Sequence, residues 1–349
     1  MKIGLIGLPS SGKSSCFAAL TGLPAQASGA GERIGTVEVP EPRLLRLAEI
    51  HSSRRIVYPE MFIVDTAAIE SGASPEQIER HLASLAREAD AFAIVLQCFG
   101  EMDPQGNSLD PASDLETLLL ELSMADLTIV EKRLERLQSG RMPKNPNEEA
   151  VLTRLKDHLS QGALVGTLAL SPDDLKLLGG LTLITALPMM VACNIAEDDM
   201  EGKKAAGAAA LADEKGLPHL NFCAQLEIEI AQLPEDEQKE FLADYGLEAS
   251  ARSRFIRAAY DLLNLVTFLT AGEQETRAWP IRQNSTAPQA AGKIHTDLQT
   301  GFIRAETVAF ADIDRYGTMA ECKKLGLVRL EGKEYIVKDG DVLDIRFSR

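Results

Sequence analysis

The chain has 349 residues, enough for two or three domains at roughly 150 residues each. Its 45% hydrophobic and 25% charged content is that of a folded globular chain and excludes wholesale disorder. With 36 Lys and Arg against 52 Asp and Glu, the net charge of -16 excludes a general nucleic-acid coat, though not a local basic patch. No apolar stretch approaches the roughly 20 residues of a membrane span, so neither DNA nor membrane is an expected partner. Met1-Lys2 runs directly into Ile-Gly-Leu-Ile-Gly with no cleavable-leader pattern. The five cysteines (Cys16, Cys98, Cys193, Cys223, Cys322) are scattered and lack CxxC spacing, which fits neither a disulfide framework nor a zinc site. A reduced, cytoplasmic setting is the expectation.

In chain order, Lys2–Leu8 is a short apolar run, and Lys13–Leu20 an amphipathic segment after Pro/Ser/Gly punctuation. Met61–Val64, Ala91–Gln97 and Pro188–Cys193 are further buried-strand candidates. Continuous apolar runs separated by helical stretches mark a parallel sheet covered on both faces. Residues 113–185 have almost no strand signal. A Ser113/Glu116 capping box opens a helix with apolar residues at Leu115, Leu118, Leu122, Ala125 and Ile129, running on through Leu137. Gly140, Pro143 and Pro146 break it, and Glu148–Leu159 resumes a helical pattern. The expectation is a projecting helical arm. Strand and helix then alternate again, with an alanine-rich helix near 200–215 and a strand near 218–223.

From Val266 the rhythm turns β-rich: Val266–Leu269, Thr276–Ile281, Ala305–Phe310, Leu327–Leu330, Tyr335–Val337 and Val342–Phe347. Helices are expected at Ala287–Thr296 and Thr318–Leu325. Residues 266–349 hold 12 acidic and 12 basic residues, so the whole net charge resides in residues 1–265. The domain expectation is therefore an α/β domain of 1–112 and 186–265, an inserted arm of 113–185 and a small domain of 266–349.

The strongest motif is Gly7-Leu8-Pro9-Ser10-Ser11-Gly12-Lys13-Ser14, a full GxxxxGKS between a strand and a helix. Its glycines let consecutive N–H groups turn inward on an anion, and the helix N-terminus adds its dipole. Lys13 is then the β/γ-phosphate ligand and the catalytic charge, and Ser14 a Mg²⁺ ligand. Asp65 ends the apolar run Phe62-Ile-Val. It is read as the second Mg²⁺ contact, or as an acid that only caps the following turn. Asn194 ends another strand and suits the purine N7 edge. Glu197 stands three residues on, where the GTPase N-K-x-D places the carboxylate that grips guanine.

These residues resemble the YchF family, the Obg-like ATPases of the translation-factor class of P-loop GTPases. The resemblance runs through Pro40-Glu-Pro-Arg-Leu44, Glu121-Leu-x-x-Ala-Asp-Leu127, the NxxE form at 194–197 and Ala258-x-Tyr-x-Leu-Leu-Asn-Leu265. It continues in Thr286-Ala-Pro288, Ile294-His-Thr-Asp297 and Gly301-Phe-Ile-Arg-Ala-Glu306. It implies a P-loop NTPase G-domain sheet, an inserted coiled-coil arm and a C-terminal β-grasp (TGS) domain. It also implies ATP over GTP, Mg²⁺, and contact with the ribosome or its RNA through the arm and TGS domain. By the same resemblance Pro9, Ser10, Ser11, Gly12, Lys13, Ser14 and Ser15 hold the phosphates, and Asn194, Glu197, Cys223 and Ala224 surround the base.

Two departures stand out. The segment Ser28–Arg33 lacks the family's switch threonine, with Thr36 the nearest, and the D-x-x-G glycine is Ala68. Ile69 stands where a Ras-like enzyme has its water-orienting Gln, and residues 99–112 hold no histidine. Slow hydrolysis is the leading expectation; the rival is a non-hydrolysing scaffold that works through the arm and TGS domain. Lys132, Arg133, Arg136, Arg141 and Lys144 on the arm, and Arg252, Arg254 and Arg257 beyond it, read either as solvated charge or as RNA contacts. Cys16 reads as core or as a redox switch.

Overall fold

The computed structural model describes residues 1–24, 33–70, 72–103, 105–143 and 145–348. The expected switch segment at Ser28 and the arm cation Lys144 lie outside them. The strands are β1 (Lys2–Ile6), β2 (Arg33–Glu38), β3 (Ile56–Val57), β4 (Glu60–Asp65), β5 (Ala91–Cys98), β6 (Met189–Ile195) and β7 (His219–Phe222). The later ones are β8 (Leu265–Ala271), β9 (Thr276–Arg282), β10 (Phe302–Ala309), β11 (Arg329–Glu331) and β12 (Asp341–Phe347). Helices up to β7 are α1 (Lys13–Thr21), α2 (Pro42–His51), α3 (Pro75–Glu88), α4 (Pro111–Gln138), α5 (Pro146–Leu159), α6 (Pro172–Leu178) and α7 (Ala206–Glu214). Those after it are α8 (Ala224–Ile230), α9 (Glu235–Asp244), α10 (Ala251–Leu262), α11 (Ala287–Ile294), α12 (Thr296–Thr300), α13 (Phe310–Tyr316) and α14 (Met319–Lys324).

The chain forms two compact units, Met1–Val37 with Phe62–Leu262, and Glu38–Met61 with Leu263–Arg349. The first is built on a sheet of order β2-β4-β1-β5-β6-β7. From β4 to β7 the pairings are parallel, so Asp65 lies beside Leu5, and Asn194 between Gln97 and Phe222. Every residue of β6 is buried, as a central parallel strand requires. Ligands of open α/β sheets bind beyond the carboxyl ends of the strands. That edge gathers the loop after β1, Asp65, Asn194 and the loop after β7.

The long helix starts earlier than its capping box suggests. Asp110 is the N-cap and accepts from Ser113 N at 3.1 Å, with Pro111 at the first turn. Nor does the whole of residues 113–185 project as an arm. Leu115, Leu118, Leu119, Leu122 and Ala125 are buried in one core with Phe92 and Ile94 of the sheet. Only further along do Val130, Leu134 and Leu137 join a second core with Val151, Leu152, Leu155 and Leu159 of α5. The helix crosses from one core to the other, because its apolar stripe is continuous while its neighbours change.

The second unit corrects the expected boundary of the G domain. Residues 38–61 were expected with residues 1–112, but they belong with the C-terminal residues. Leu44 and Leu47 of α2 are fully buried against Leu269, Ala278, Val308 and Val342, and β3 pairs parallel with β9 at the sheet edge. The sheet order is β11-β10-β12-β8-β9-β3, with β8 and β9 antiparallel and β12 parallel to β8. The apolar face of α11 covers Phe268, Phe302 and Leu343, which gives the β-grasp plan. Two expected strand segments differ. Tyr335–Val337 is not a strand but a loop held by the Thr286–Ile336 bridge and the Tyr335 hydroxyl on Asp341, and Phe310 opens α13.

Candidate functional site

The loop between β1 and α1 is shaped by two close approaches. A Cβ on Gly7 would lie 2.4 Å from the Val95 carbonyl oxygen, and one on Gly12 2.1 Å from Asn194 Nδ2. Gly12 is also left-handed, at φ 85°, so both its backbone and its lack of a side chain are used. Lys13 is 7% exposed, and its Nζ donates to the carbonyls of Gly7 (3.0 Å) and Leu8 (3.3 Å). Burial pushes its ammonium down to about 8, with the Asp65 carboxylate the largest influence in the other direction.

Ser14 Oγ donates to Asp65 Oδ2 at 2.9 Å, across 51 residues of sequence. Asp65 Oδ1 and Ser11 Oγ are buried without a hydrogen-bond partner. An orphaned hard oxygen on a nearly buried carboxylate fits a divalent cation such as Mg²⁺. No cluster of three metal-ligating side chains exists among the described residues. Around these groups lies a cavity of about 620 Å³ lined by residues 9–15, Asp65–Ala68, Arg33, Glu70 and Phe99. Ile69 is buried at 2% exposure and does not line it, since its place is in the core beside Ile78.

At the other end, Asn194 ties two loops together. Its Nδ2 donates to the Ser11 carbonyl and its Oδ1 accepts from Ala224 N, both at 3.2 Å. The second Nδ2 hydrogen is left for an acceptor. Cys223 and Ala224 are themselves buried, so they present backbone rather than side chains. Glu197 begins a short turn after β6, and the Tyr245 hydroxyl donates to its Oε1.

The chain is similar to known proteins over nearly all of its length. Residues 2–132 match the family model of the 50S ribosome-binding GTPases. Residues 265–348 match the YchF-GTPase C-terminal model, described as a protein of unknown function. The ribosome-binding ATPase YchF of Haemophilus ducreyi is 38% identical, with 99% of both chains covered. The chain belongs to the YchF family. The Bacillus subtilis ribosome-binding ATPase YchF is 36% identical over 99% of this chain and 98% of its own. The structure of the Schizosaccharomyces pombe YchF GTPase superposes with a TM-score of 0.85 at 27% identity, covering 99% of this chain and 97% of that one.

As a YchF-family member the chain is a P-loop nucleotide-binding protein, and its site contains side chains that motif reading passed over. Arg33 and Phe99 line the cavity at the glycine loop, and Tyr245 holds Glu197. None belongs to a contiguous motif, so each is recognisable only once the chain is folded. Of the arm cations, Lys132 pairs with Glu79, Arg133 with Glu148 and Arg141 with Glu135. Arg257 pairs with Asp261 on its own helix. The pairs of Lys132, Arg141 and Arg257 are exposed and fit solvated charge, whereas Arg133 and Glu148 form a partly buried pair.

Cys16 is fully packed in the core, and burial pushes its thiol up. All five cysteines are free and buried. The folded protein is expected to react with fewer than one equivalent of the thiol reagent DTNB, and with five after denaturation in guanidinium. Fast labelling of one thiol in the native protein would contradict this and restore the redox reading of Cys16.

Proposed function

We propose that the chain binds ATP in preference to GTP, hydrolyses it slowly to ADP, and reports its nucleotide state to the ribosome. The reading rests most directly on the Ser14–Asp65 pair at the glycine loop, where the unpartnered Asp65 Oδ1 has its counterpart in a Mg²⁺-bound triphosphate. The loop Pro9 to Ser15 would hold the phosphates through the N–H groups of Ser10 to Ser15 and the Lys13 ammonium, with Ser14 and Asp65 toward Mg²⁺. The metal, when bound, supplies charge neutralisation on the β- and γ-oxygens. Lys13 and the loop amides stabilise the charge that develops during in-line attack by water.

The base end supports ATP. A guanine clamp needs a carboxylate free to accept from N1–H and N2–H, whereas one oxygen of Glu197 already accepts from Tyr245. The remaining N–H of Asn194 suits the purine N7, which both bases carry. Titrating ATP and GTP calorimetrically, with Mg²⁺, is expected to give at least about tenfold tighter binding of ATP, or roughly 1.4 kcal/mol. Equal affinities, or tighter GTP, would overturn the base assignment.

Ala68 in place of the γ-sensing glycine favours the scaffold alternative for turnover but not for binding. The curated relatives are named ribosome-binding, and ribosome contact through the arm or the C-terminal unit is inferred for this chain from that kinship. Co-sedimentation with 70S ribosomes in ATP but not in ADP is the expected result. Sedimentation that ignores the nucleotide would remove the reporting role.

A further inference from the structure

Arg33 opens β2 and reaches the phosphate cavity, although no motif includes it. Its guanidinium carbon lies 4.5 Å from the centroid of the Phe17 ring, and Nη2 donates to the Pro24 carbonyl at 2.7 Å. Nη1 points the other way. It is buried, has no hydrogen-bond partner, and lies 3.7 Å from Asp65 Oδ2, beyond hydrogen-bond length. A buried guanidinium donor without an acceptor is costly to keep. Here it is held on an aromatic face, beside the carboxylate that fits the metal and within the cavity that fits the phosphates.

Resting on the nucleotide reading above, we propose that Arg33 is a phosphate ligand of that site, linked to the metal through Asp65. Without a divalent cation, Arg33 is the cation nearest the carboxylate, and together with Lys13 it neutralises the phosphates of an entering nucleotide. A divalent ion held at Asp65 would neutralise the same phosphate oxygens, so the guanidinium would add little to binding once the metal is present. Guanidinium geometry suits the task, because it presents a planar fork to phosphate oxygens while one edge stays anchored on Phe17 and Pro24. The site then carries a built-in positive charge that partly replaces the metal in binding, so its affinity for ATP depends weakly on Mg²⁺.

The test is calorimetric titration of the full chain with ATP, in EDTA and in excess MgCl₂, for the native protein, Arg33→Gln, Arg33→Lys and Lys13→Ala. Loss of a charge-assisted contact corresponds to roughly a 10- to 150-fold change in affinity. Arg33→Gln is expected to lose that much in EDTA and much less in MgCl₂, so the ratio of the two affinities grows. Arg33→Lys is expected to retain most of the EDTA affinity, which also separates lost charge from lost folding. An equal loss in both media, or no loss in EDTA, overturns the proposal while leaving the nucleotide site intact. Unchanged ATP binding by Lys13→Ala overturns the site itself, and the proposal with it.

Discussion

Lys13→Ala is expected to weaken ATP binding by roughly 10- to 150-fold, the worth of a charge-assisted hydrogen bond to phosphate. Turnover should fall at least as far, because the same charge faces the transferring phosphoryl group. The side chain is already folded over the loop, donating to Gly7 and Leu8, so little reorganisation separates the free and bound arrangements. Steady-state ATPase that stays unchanged in the variant would remove hydrolysis from this site. Robust turnover lost in the variant would instead dispose of the scaffold reading.

A stability measurement separates binding from folding. Below pH 8 the Lys13 ammonium is charged in both folded and unfolded chains, and its burial cost is felt in full. Between about 8 and the ordinary 10.5 the folded chain sheds the proton first and the cost fades. At neutral pH, Lys13→Met is therefore expected not to lower the Tm of the nucleotide-free protein, while the Tm gain conferred by ATP disappears. A drop in Tm without nucleotide would show that Lys13 is needed for the fold.

The second large effect lies at Asp126, inside α4 and fully buried. Oδ1 accepts from Ile184 N at 2.7 Å, and Oδ2 accepts from Thr185 N at 2.7 Å and Thr185 Oγ1 at 2.6 Å. Thr185 Oγ1 in turn accepts from Val165 N at 3.0 Å. One carboxylate thus fastens the 184–186 turn to the point where α4 passes from the sheet's core to the second core. Asp126→Ala leaves two buried backbone N–H groups without acceptors, at roughly 2–6 kcal/mol in all. Urea unfolding is expected to show that loss; a change below about 0.5 kcal/mol, ordinary for a surface substitution, would contradict it.

Burial outweighs these hydrogen bonds and pushes the Asp126 carboxyl up to about 6. A raised acid keeps its proton in the folded chain while the unfolded chain loses it. The stability of the native protein relative to Asp126→Asn should therefore fall as the pH rises from about 4 to 6, and level off above. At neutral pH the carboxylate is ionised, with its cost already included.

Much of the site is written locally. GxxxxGKS is contiguous, and Asp65 and Asn194 announce themselves as polar residues closing apolar runs, because a parallel sheet ends its strands where the ligand sits. Helix ends were less legible. Asp110 with Pro111 takes the N-cap of α4 from the nearby Ser113, since both offer an acceptor and only the approach of the preceding chain decides between them. The strands β2 and β3 leave little signal, since Ile34 and Thr36 alternate weakly with their neighbours and β3 has only two residues.

By itself, the sequence determined the family, the phosphate loop, the two-part α/β and β-grasp plan, and the acidity of residues 1–265. All of these depend on residue type and short spacing. Tertiary structure alone decided that residues 38–61 belong with the C-terminal sheet, that α4 serves two cores, and that Arg33, Tyr245 and Asp126 each face a distant carboxylate or turn. Periodicity tells which side of an element is buried, whereas the partner on that side is set by packing between segments tens to hundreds of residues apart. The opening charge of -16 is sharpened in the same way. It remains an argument against a nucleic-acid coat, while the guanidinium of Arg33, with Nη1 buried beside Asp65, carries the inference about the metal.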